Sequence, residues 1–216
     1  LERGFHITVF TSGVMSDERL EELEFHLTQI PPERIQFVCN LNNPEQTPAP
    51  KGEIDKVHRF LTAMGPWTTP GFNIYRVDFS LDFIFSYIAR FGMQTLLRLG
   101  LSSPIVKQNN QYIRKEDMKK VIDRLYGFRD LFEKFRVRPN LDCGFPLCNF
   151  TNEQLGWFFR ISGAVNFGCG PAIDIKPNMD VYSCFPISNI HKKSLFEFNS
   201  IHEVAAFYVN LHDQIR

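Results

Sequence analysis

Four cysteines in the last third of the chain have the residue type and spacing to bind a metal ion or a cluster. They follow the pattern Cys143-x4-Cys148-x20-Cys169-x14-Cys184. Thiolates are the preferred protein ligands of structural zinc and of iron–sulfur clusters. In a chain without an export signal, clustered cysteines indicate ligation more often than disulfides, because cytosolic thiols stay reduced. The spacing therefore predicts a metal or cluster site.

The segment between the last two of these cysteines has the pattern of a β-hairpin. The run AIDI alternates, Pro177 and Asn178 suit the centre of a turn, and DVYSC returns. Such a hairpin would bring Cys169 beside Cys184. The other pair lies on the loop CGFPLC, so two loops would supply four sulfurs.

Spacing alone leaves three alternatives for these thiols. The x4 gap is wider than the CxxC of most zinc ribbons and favours an iron–sulfur cluster, although a tetrahedral zinc site also fits four sulfurs. Unligated or disulfide-forming cysteines are the third alternative. The fifth cysteine, Cys39, ends an apolar strand and is interpreted as a small buried hydrophobic residue.

Composition describes an ordinary globular protein. Of the 216 residues, 44% are hydrophobic and 22% charged, and the formal net charge is zero, which argues against nucleic acid as the main partner. The longest apolar stretches are too short to cross a bilayer. The first residues lack a basic region followed by an apolar one, so no signal peptide is expected and a cytoplasmic location is predicted.

The first two thirds of the chain alternate between strand and helix patterns. Helices are predicted after Ser16, after the Pro-rich loop from Pro44 to Pro50, before Gly92, and from Glu116 to Phe135. This alternation predicts an α/β fold with a mostly parallel sheet. The predicted strands are FHITVF, RIQFVC, FNIYRVDF and QTLLRLGLS.

The pattern changes after Asp142 to short elements with frequent Gly and Pro. We therefore predict two domains, residues 1–142 and a cysteine-rich subdomain over residues 143–216. Capping boxes predict two helices in the second part, one at Thr151 with Gln154 and one at Ser200 with Glu203.

The segment CGPAIDIKPNMDVYSCF resembles the cysteine hairpin of SPASM or twitch domains. These domains are C-terminal extensions of radical S-adenosylmethionine (SAM) enzymes and carry auxiliary iron–sulfur clusters. Upstream, HITVFTSGVMSDERLEEL is similar to a strand–helix unit of that family, and LRLGLSSP resembles a later barrel strand. The resemblance thus extends over nearly the whole chain.

This resemblance implies a partial (β/α) barrel whose early strands are absent, followed by the extension. The family generates its radical at a cluster held by a CxxxCxxC motif, and no such motif occurs in this sequence. The chain alone is therefore expected not to form the radical. The resemblance implies one auxiliary 4Fe–4S cluster on Cys143, Cys148, Cys169 and Cys184. Asn178 and Met179 depart from the family pattern, which usually has Asp-Gly there.

The resemblance also implies where SAM would lie, because the family places polar cofactor contacts at the carboxyl ends of strands. The matching residues in this sequence are Thr11, Ser12, Asn40 and Asn42. The alternative interpretation is that these side chains cap helices or shape turns.

By resemblance, the chain is interpreted as the C-terminal portion of a radical SAM oxidoreductase or modifying enzyme, with a peptide or protein side chain as substrate. Self-association through exposed sheet edges is expected, because a barrel without its early strands has unpaired backbone groups. The alternative is a non-catalytic binding module in which the four cysteines hold a structural zinc ion. No GxSxG, P-loop or GxGxxG motif supports a hydrolase, nucleotide triphosphatase or dinucleotide-binding function.

Overall fold

The computed structural model describes residues 5–163 and 173–215. Its main feature is a parallel sheet of five strands in the order β1-β2-β3-β4-β5, so that each strand pairs with the one before it in the chain. The strands are β1 Ile7–Thr11, β2 Ile35–Asn40, β3 Thr68–Ile74, β4 Leu96–Leu101 and β5 Arg138–Leu141. The predicted α/β class and parallel sheet are confirmed; a closed barrel is not seen among the described residues.

Helices follow the strands in alternation, and two of them demonstrably pack on the same face of the sheet. The helices are α1 Asp17–Leu27, α2 Glu53–Met64, α3 Asp82–Phe91, α4 Met118–Gly127, α5 Arg129–Lys134 and α6 Asn152–Ser162. On β2, Phe37 stacks edge-on against Phe60 of α2, and on β3, Phe72 contacts Phe83 of α3. The register pairs Cys39 with Pro70, so Phe37 and Phe72 lie on the same side of the sheet. Helices α2 and α3 therefore cover the same face.

The local signals for helix ends have the expected structural roles. The Ser16 side chain accepts a hydrogen bond from the backbone N–H of Arg19 at the start of α1. Gly92 ends α3 in the left-handed conformation, with φ of 62°. Thr151 and Gln154 form the predicted capping box of α6, with both reciprocal hydrogen bonds present.

Three details differ from the sequence-based expectation. The single helix predicted over residues 116–135 is wrong, because α4 ends at Gly127 and α5 begins at Arg129. Strand β3 lies over Thr68–Ile74 rather than over Phe72–Phe79. The RPNL segment was not predicted as a strand, but it forms β5 at the edge of the sheet.

The chain divides into two compact units, and the small antiparallel sheet belongs to the second. The described part of the first unit comprises residues 5–101 and 114–163, and that of the second comprises residues 102–113 and 173–215. The second unit contains β6 Asp174–Ile175, β7 Asp180–Tyr182, β8 Lys193–Ser194 and helix α7 Ile201–Ile215. Its core consists of Val181, Val204, Tyr208 and Leu211.

The described part of the predicted hairpin is confirmed. Strands β6 and β7 pair antiparallel, and the Met179 N–H donates to the Lys176 carbonyl across a turn centred on Pro177 and Asn178. Met179 follows in the left-handed region with φ of 66°, and the Lys176 N–H donates to the Asp180 carbonyl. This is a three-residue hairpin loop whose last residue is left-handed.

Helix α7 begins as predicted, with one change in its cap. The Ser200 hydroxyl accepts from the backbone N–H of Glu203, but the Glu203 carboxylate accepts from the backbone N–H of Asn199 instead of that of Ser200. In the described ranges, no helix is both long enough and apolar enough to span a membrane.

Candidate ligand-binding site at the strand ends

The face of the five-stranded sheet opposite α2 and α3 carries polar residues, and we call it the polar face. Parallel sheets normally have apolar side chains on both faces, because both are covered by helices. Here Gln36, Asn73 and Asn140 are exposed on the polar face. The residues of the polar face that bear on the site are Thr8, Phe10, Gln36, Val38, Asn40, Gly71, Asn73, Arg98, Gly100 and Asn140.

Asn40 ends β2 and has a buried acceptor that lacks a partner. Its Oδ1 makes no hydrogen bond to any of the described residues. This oxygen lies 2.6 Å from the point where a Cβ on Gly71 would stand. A buried acceptor without a hydrogen bond is costly, by about 1–3 kcal/mol, so a donor from a ligand would be favourable here.

Gly100 makes room for a second polar group on the same face. A Cβ on Gly100 would lie 2.7 Å from Asn73 Oδ1, 3.7 Å from Asp142 Oδ2 and 3.8 Å from Arg98 Nη1. Arg98 donates through Nη2 to Asp142 Oδ2, which joins β4 to the residue that follows β5. Amide, carboxylate and guanidinium groups therefore converge above a residue without a side chain.

Arg98 also reaches across the sheet. Its Cζ lies 5.3 Å from the centroid of the Phe10 ring on β1, within the range of a cation–π contact. Strands β1 and β4 are three strand spacings apart, or about 14 Å along the sheet. The two side chains therefore extend toward each other over β2 and β3.

A cavity of about 260 Å³ lies at the carboxyl ends of β1 and β2. Ser12, Asn40 and Asn42 line it, together with the Pro-rich loop and the first turns of α2, whereas Thr11 does not. Tyr87 of α3 is also part of its wall, and its hydroxyl lies 2.9 Å from His58 Nε2. Burial raises the Tyr87 pKa above its ordinary value.

The two predicted hydroxyl residues, Thr11 and Ser12, have local partners. Thr11 Oγ1 accepts from the backbone N–H of Gly13 at 3.0 Å, and Ser12 Oγ accepts from that of Val14 at 3.4 Å. Both bonds have the geometry by which such residues shape turns. Of the four residues predicted to contact SAM, only Asn40 has a buried acceptor without a hydrogen bond among the described residues.

The described cysteines among those predicted to bind a cluster are divided between the two units. Cys143 and Cys148 are exposed in the first unit, Cys184 is partly exposed in the second, and Cys169 lies outside the described residues. Within residues 5–163 and 173–215, no group of three or more His, Cys, Asp or Glu side chains is arranged to hold a metal ion.

Cys39 is buried, as predicted, against the helix layer. It is fully shielded from solvent, and burial raises its pKa to about 12. A buried thiol with this pKa is protonated at neutral pH and is therefore a poor nucleophile.

Sequence reasoning missed Asn73, Arg98 and Asp142. Arg98 and Asp142 are far apart in sequence and meet only because β4 pairs with β5. The sequence contains one indication of this site. Asn73 and Gly100 lie near the carboxyl ends of β3 and β4, where the binding sites of parallel sheets usually lie.

Comparison with models of known protein families finds no match. Comparison with curated proteins also finds none.

Proposed function

We propose that the chain is the C-terminal portion of a radical SAM enzyme with an auxiliary iron–sulfur extension, and that the polar face and the strand-end cavity bind cofactor and substrate. The observation that carries this proposal is the winding of the sheet. Five parallel strands follow in chain order, and the polar side chains lie on the face opposite α2 and α3.

This winding is typical of barrels and unlike that of doubly wound folds. A doubly wound sheet reverses its strand order at one point, which places helices on both faces. A sheet without a reversal has helices on one face only, and its other face becomes the lining of a complete or partial barrel. The order β1-β2-β3-β4-β5 has no reversal. It therefore supports the partial barrel that the sequence resemblance implies.

Asn40 and the cavity support a small-molecule site at the strand ends. The buried Asn40 Oδ1 needs a hydrogen-bond donor, and Asn42 and Ser12 line the same cavity. Its volume of about 260 Å³ is at the lower end for ligand pockets, which usually have about 300–1,000 Å³. The cavity therefore suits one part of a cofactor such as SAM, with the rest extending over the polar face.

The hairpin supports the resemblance at the position where the sequence departs from it. The family usually has Gly where this chain has Met179, and Met179 adopts the left-handed conformation that glycine adopts most readily. The cluster itself is proposed from the cysteine spacing, with Cys143, Cys148, Cys169 and Cys184 as ligands. A bound cluster would supply electron transfer or a substrate anchor.

The proposed parent enzyme modifies a peptide or protein side chain or acts as an oxidoreductase. Since the sequence contains no CxxxCxxC motif, we assign no radical generation to these 216 residues alone.

Anaerobic purification with analysis of metal, acid-labile sulfide and visible absorption tests the proposal. We expect about four iron atoms and a similar amount of sulfide per chain, with the broad brown absorption of a 4Fe–4S cluster. One zinc ion per chain without that absorption would overturn the cluster and favour the structural zinc module. A chain without any metal would also contradict the proposal.

A further inference from the structure

We propose that Arg98 on the polar face binds a carboxylate group of the substrate. The inference rests on the proposed function in taking the polar face as the ligand-binding side of the sheet. It adds the chemical class of the ligand and a residue that recognises it. Neither the iron–sulfur cluster nor SAM is needed for this recognition.

Arg98 has N–H groups that donate no hydrogen bond to the described residues. A guanidinium presents its N–H groups in a rigid planar fork, and Arg98 uses Nη2 to bind Asp142. Its Nε and Nη1 donate to none of the described residues, and its side chain is 24% exposed. Nη2 carries a second N–H, so a planar carboxylate could accept two parallel hydrogen bonds, one from this N–H and one from Nη1 or Nε.

The guanidinium is held in place before a ligand arrives. The Asp142 carboxylate binds it on one side, and the Phe10 ring contacts it at 5.3 Å on another. Nη1 lies 3.8 Å from the point where a Cβ on Gly100 would stand, and Asn73 Oδ1 lies 2.7 Å from that point, so the missing side chain lets these polar groups approach one another. A preorganised arginine loses less side-chain freedom on binding than a mobile one does.

The neighbouring charge favours a carboxylate over a phosphate. Asp142 already compensates the positive charge of Arg98. Its Oδ2 lies 3.7 Å from the point where a Cβ on Gly100 would stand, and Nη1 lies 3.8 Å from the same point. A dianionic phosphate would be repelled by this carboxylate more strongly than a singly charged carboxylate would. The Phe10 ring, which is 59% exposed, offers an apolar contact to the rest of the ligand.

The test uses the full 216-residue chain and three probes that share a phenyl ring: benzoate, benzamide and phenyl phosphate. Binding is followed by two-dimensional NMR of backbone amides and arginine Nε–H groups. We expect saturable benzoate shifts centred on Arg98 and its strand neighbours. Neutral benzamide should bind at least about fivefold more weakly, because the charge-assisted hydrogen bonds are lost.

Two variants and one control separate recognition from a structural role. Arg98→Met should weaken benzoate binding by about tenfold or more. Asp142→Asn should strengthen it severalfold, since the competing carboxylate is removed while Arg98 stays. Arg138→Met removes an exposed arginine at the opposite end of the polar face and should leave benzoate binding unchanged.

Equal benzoate affinity in wild type and Arg98→Met, or no saturable binding, would overturn the inference. Tighter binding of phenyl phosphate than of benzoate would overturn the choice of a carboxylate. These readouts are independent of metal content. Benzoate binding in a chain without iron would thus contradict the proposed function alone, and iron without benzoate binding would contradict this inference alone.

Discussion

Single residues with unusual backbone or burial determine local stability in both units. Met179 is one, because a left-handed conformation costs a residue with a Cβ about 1–2 kcal/mol. Its turn is supported by Asn178, whose Oδ1 accepts from the backbone N–H of Asp180 at 3.2 Å. In this turn the left-handed backbone of Met179 is unfavourable, and the side-chain hydrogen bond of Asn178 is favourable.

We predict that Met179→Gly stabilises the hairpin. Glycine removes the left-handed cost but gives the unfolded chain more freedom, so the net gain is about 0.5 kcal/mol. Amide hydrogen exchange of Lys176, whose N–H donates to the Asp180 carbonyl, should slow about twofold. The matched control Asn178→Gly should speed this exchange, since it removes the side-chain acceptor. Faster exchange in Met179→Gly would contradict this explanation of the turn.

The buried Cys39 thiol predicts how the free energy of unfolding depends on pH. Burial raises its pKa to about 12, whereas the thiol of the unfolded chain ionises near its ordinary value of 9.0. Above pH 9 the unfolded state loses this proton while the folded state keeps it, so the free energy of unfolding falls as pH rises toward 12. The slope from this group is at most about 1.4 kcal/mol per pH unit.

Urea unfolding of wild type and Cys39→Ala across this pH range checks the prediction. The variant is expected to be less stable below pH 9, because it leaves a small cavity, but its stability should fall less steeply between pH 9 and 12, so the difference from the wild type should shrink. Parallel curves for the two proteins would show that the Cys39 thiol does not cause the slope.

At the scale of elements, the cap of α6 links the sequence to the packing of the first unit. The Thr151 hydroxyl accepts from the Gln154 N–H, and the Gln154 amide also donates to Asp123 of α4 at 2.8 Å. The same helix places Trp157, only 3% exposed, against Phe132 of α5. The start of α6 is therefore fixed by its cap and by contacts to α4 and α5.

Thr151→Ala should destabilise the first unit by about 1 kcal/mol, the usual effect of removing an N-cap. Tryptophan fluorescence in urea suits the measurement, because both tryptophans lie in this unit. The control Thr62→Ala removes an exposed hydroxyl that donates only to the His58 carbonyl within α2. It should change stability by less than about 0.5 kcal/mol. Equal losses in both variants would contradict the role of the cap.

Most elements were predictable because their signals are local. Apolar periodicity identifies α2 and α3, and Gly92 and Thr151 mark helix ends. Strand β5 was missed because it is short and contains Pro139, which has no N–H to donate to a neighbouring strand. The Arg98–Asp142 contact depends on strand pairing, which no local pattern encodes.

At the scale of the whole molecule, the two edges of the sheet differ. At β5, Pro139 has no N–H, and its carbonyl accepts from the Ser162 hydroxyl at 2.7 Å. Strand β1 pairs with β2 on one side and with no other described strand. Its Ile7 and Val9 are 39% and 36% exposed, and an apolar, unprotected edge is a template for pairing with another chain.

We therefore predict self-association of the chain through β1. Sedimentation velocity should show species larger than a monomer whose fraction increases with concentration, and Val9→Lys should reduce that fraction because charge disfavours edge pairing. Phe25→Lys adds the same charge on the exposed side of α1, where Phe25 is 64% exposed, and should not reduce it. A wild-type chain that stays monomeric at its highest soluble concentration would contradict the prediction.

The most direct test of the central claim is the iron content of single cysteine-to-serine variants purified without oxygen. If the chain carries the proposed cluster, serine at Cys143, Cys148, Cys169 or Cys184 should each lower iron to well below the wild-type value. Cys39→Ser, the matched control, should retain its iron, because Cys39 is buried with a pKa of about 12. Iron that is absent from the wild type, or unchanged in all four variants, would contradict the account.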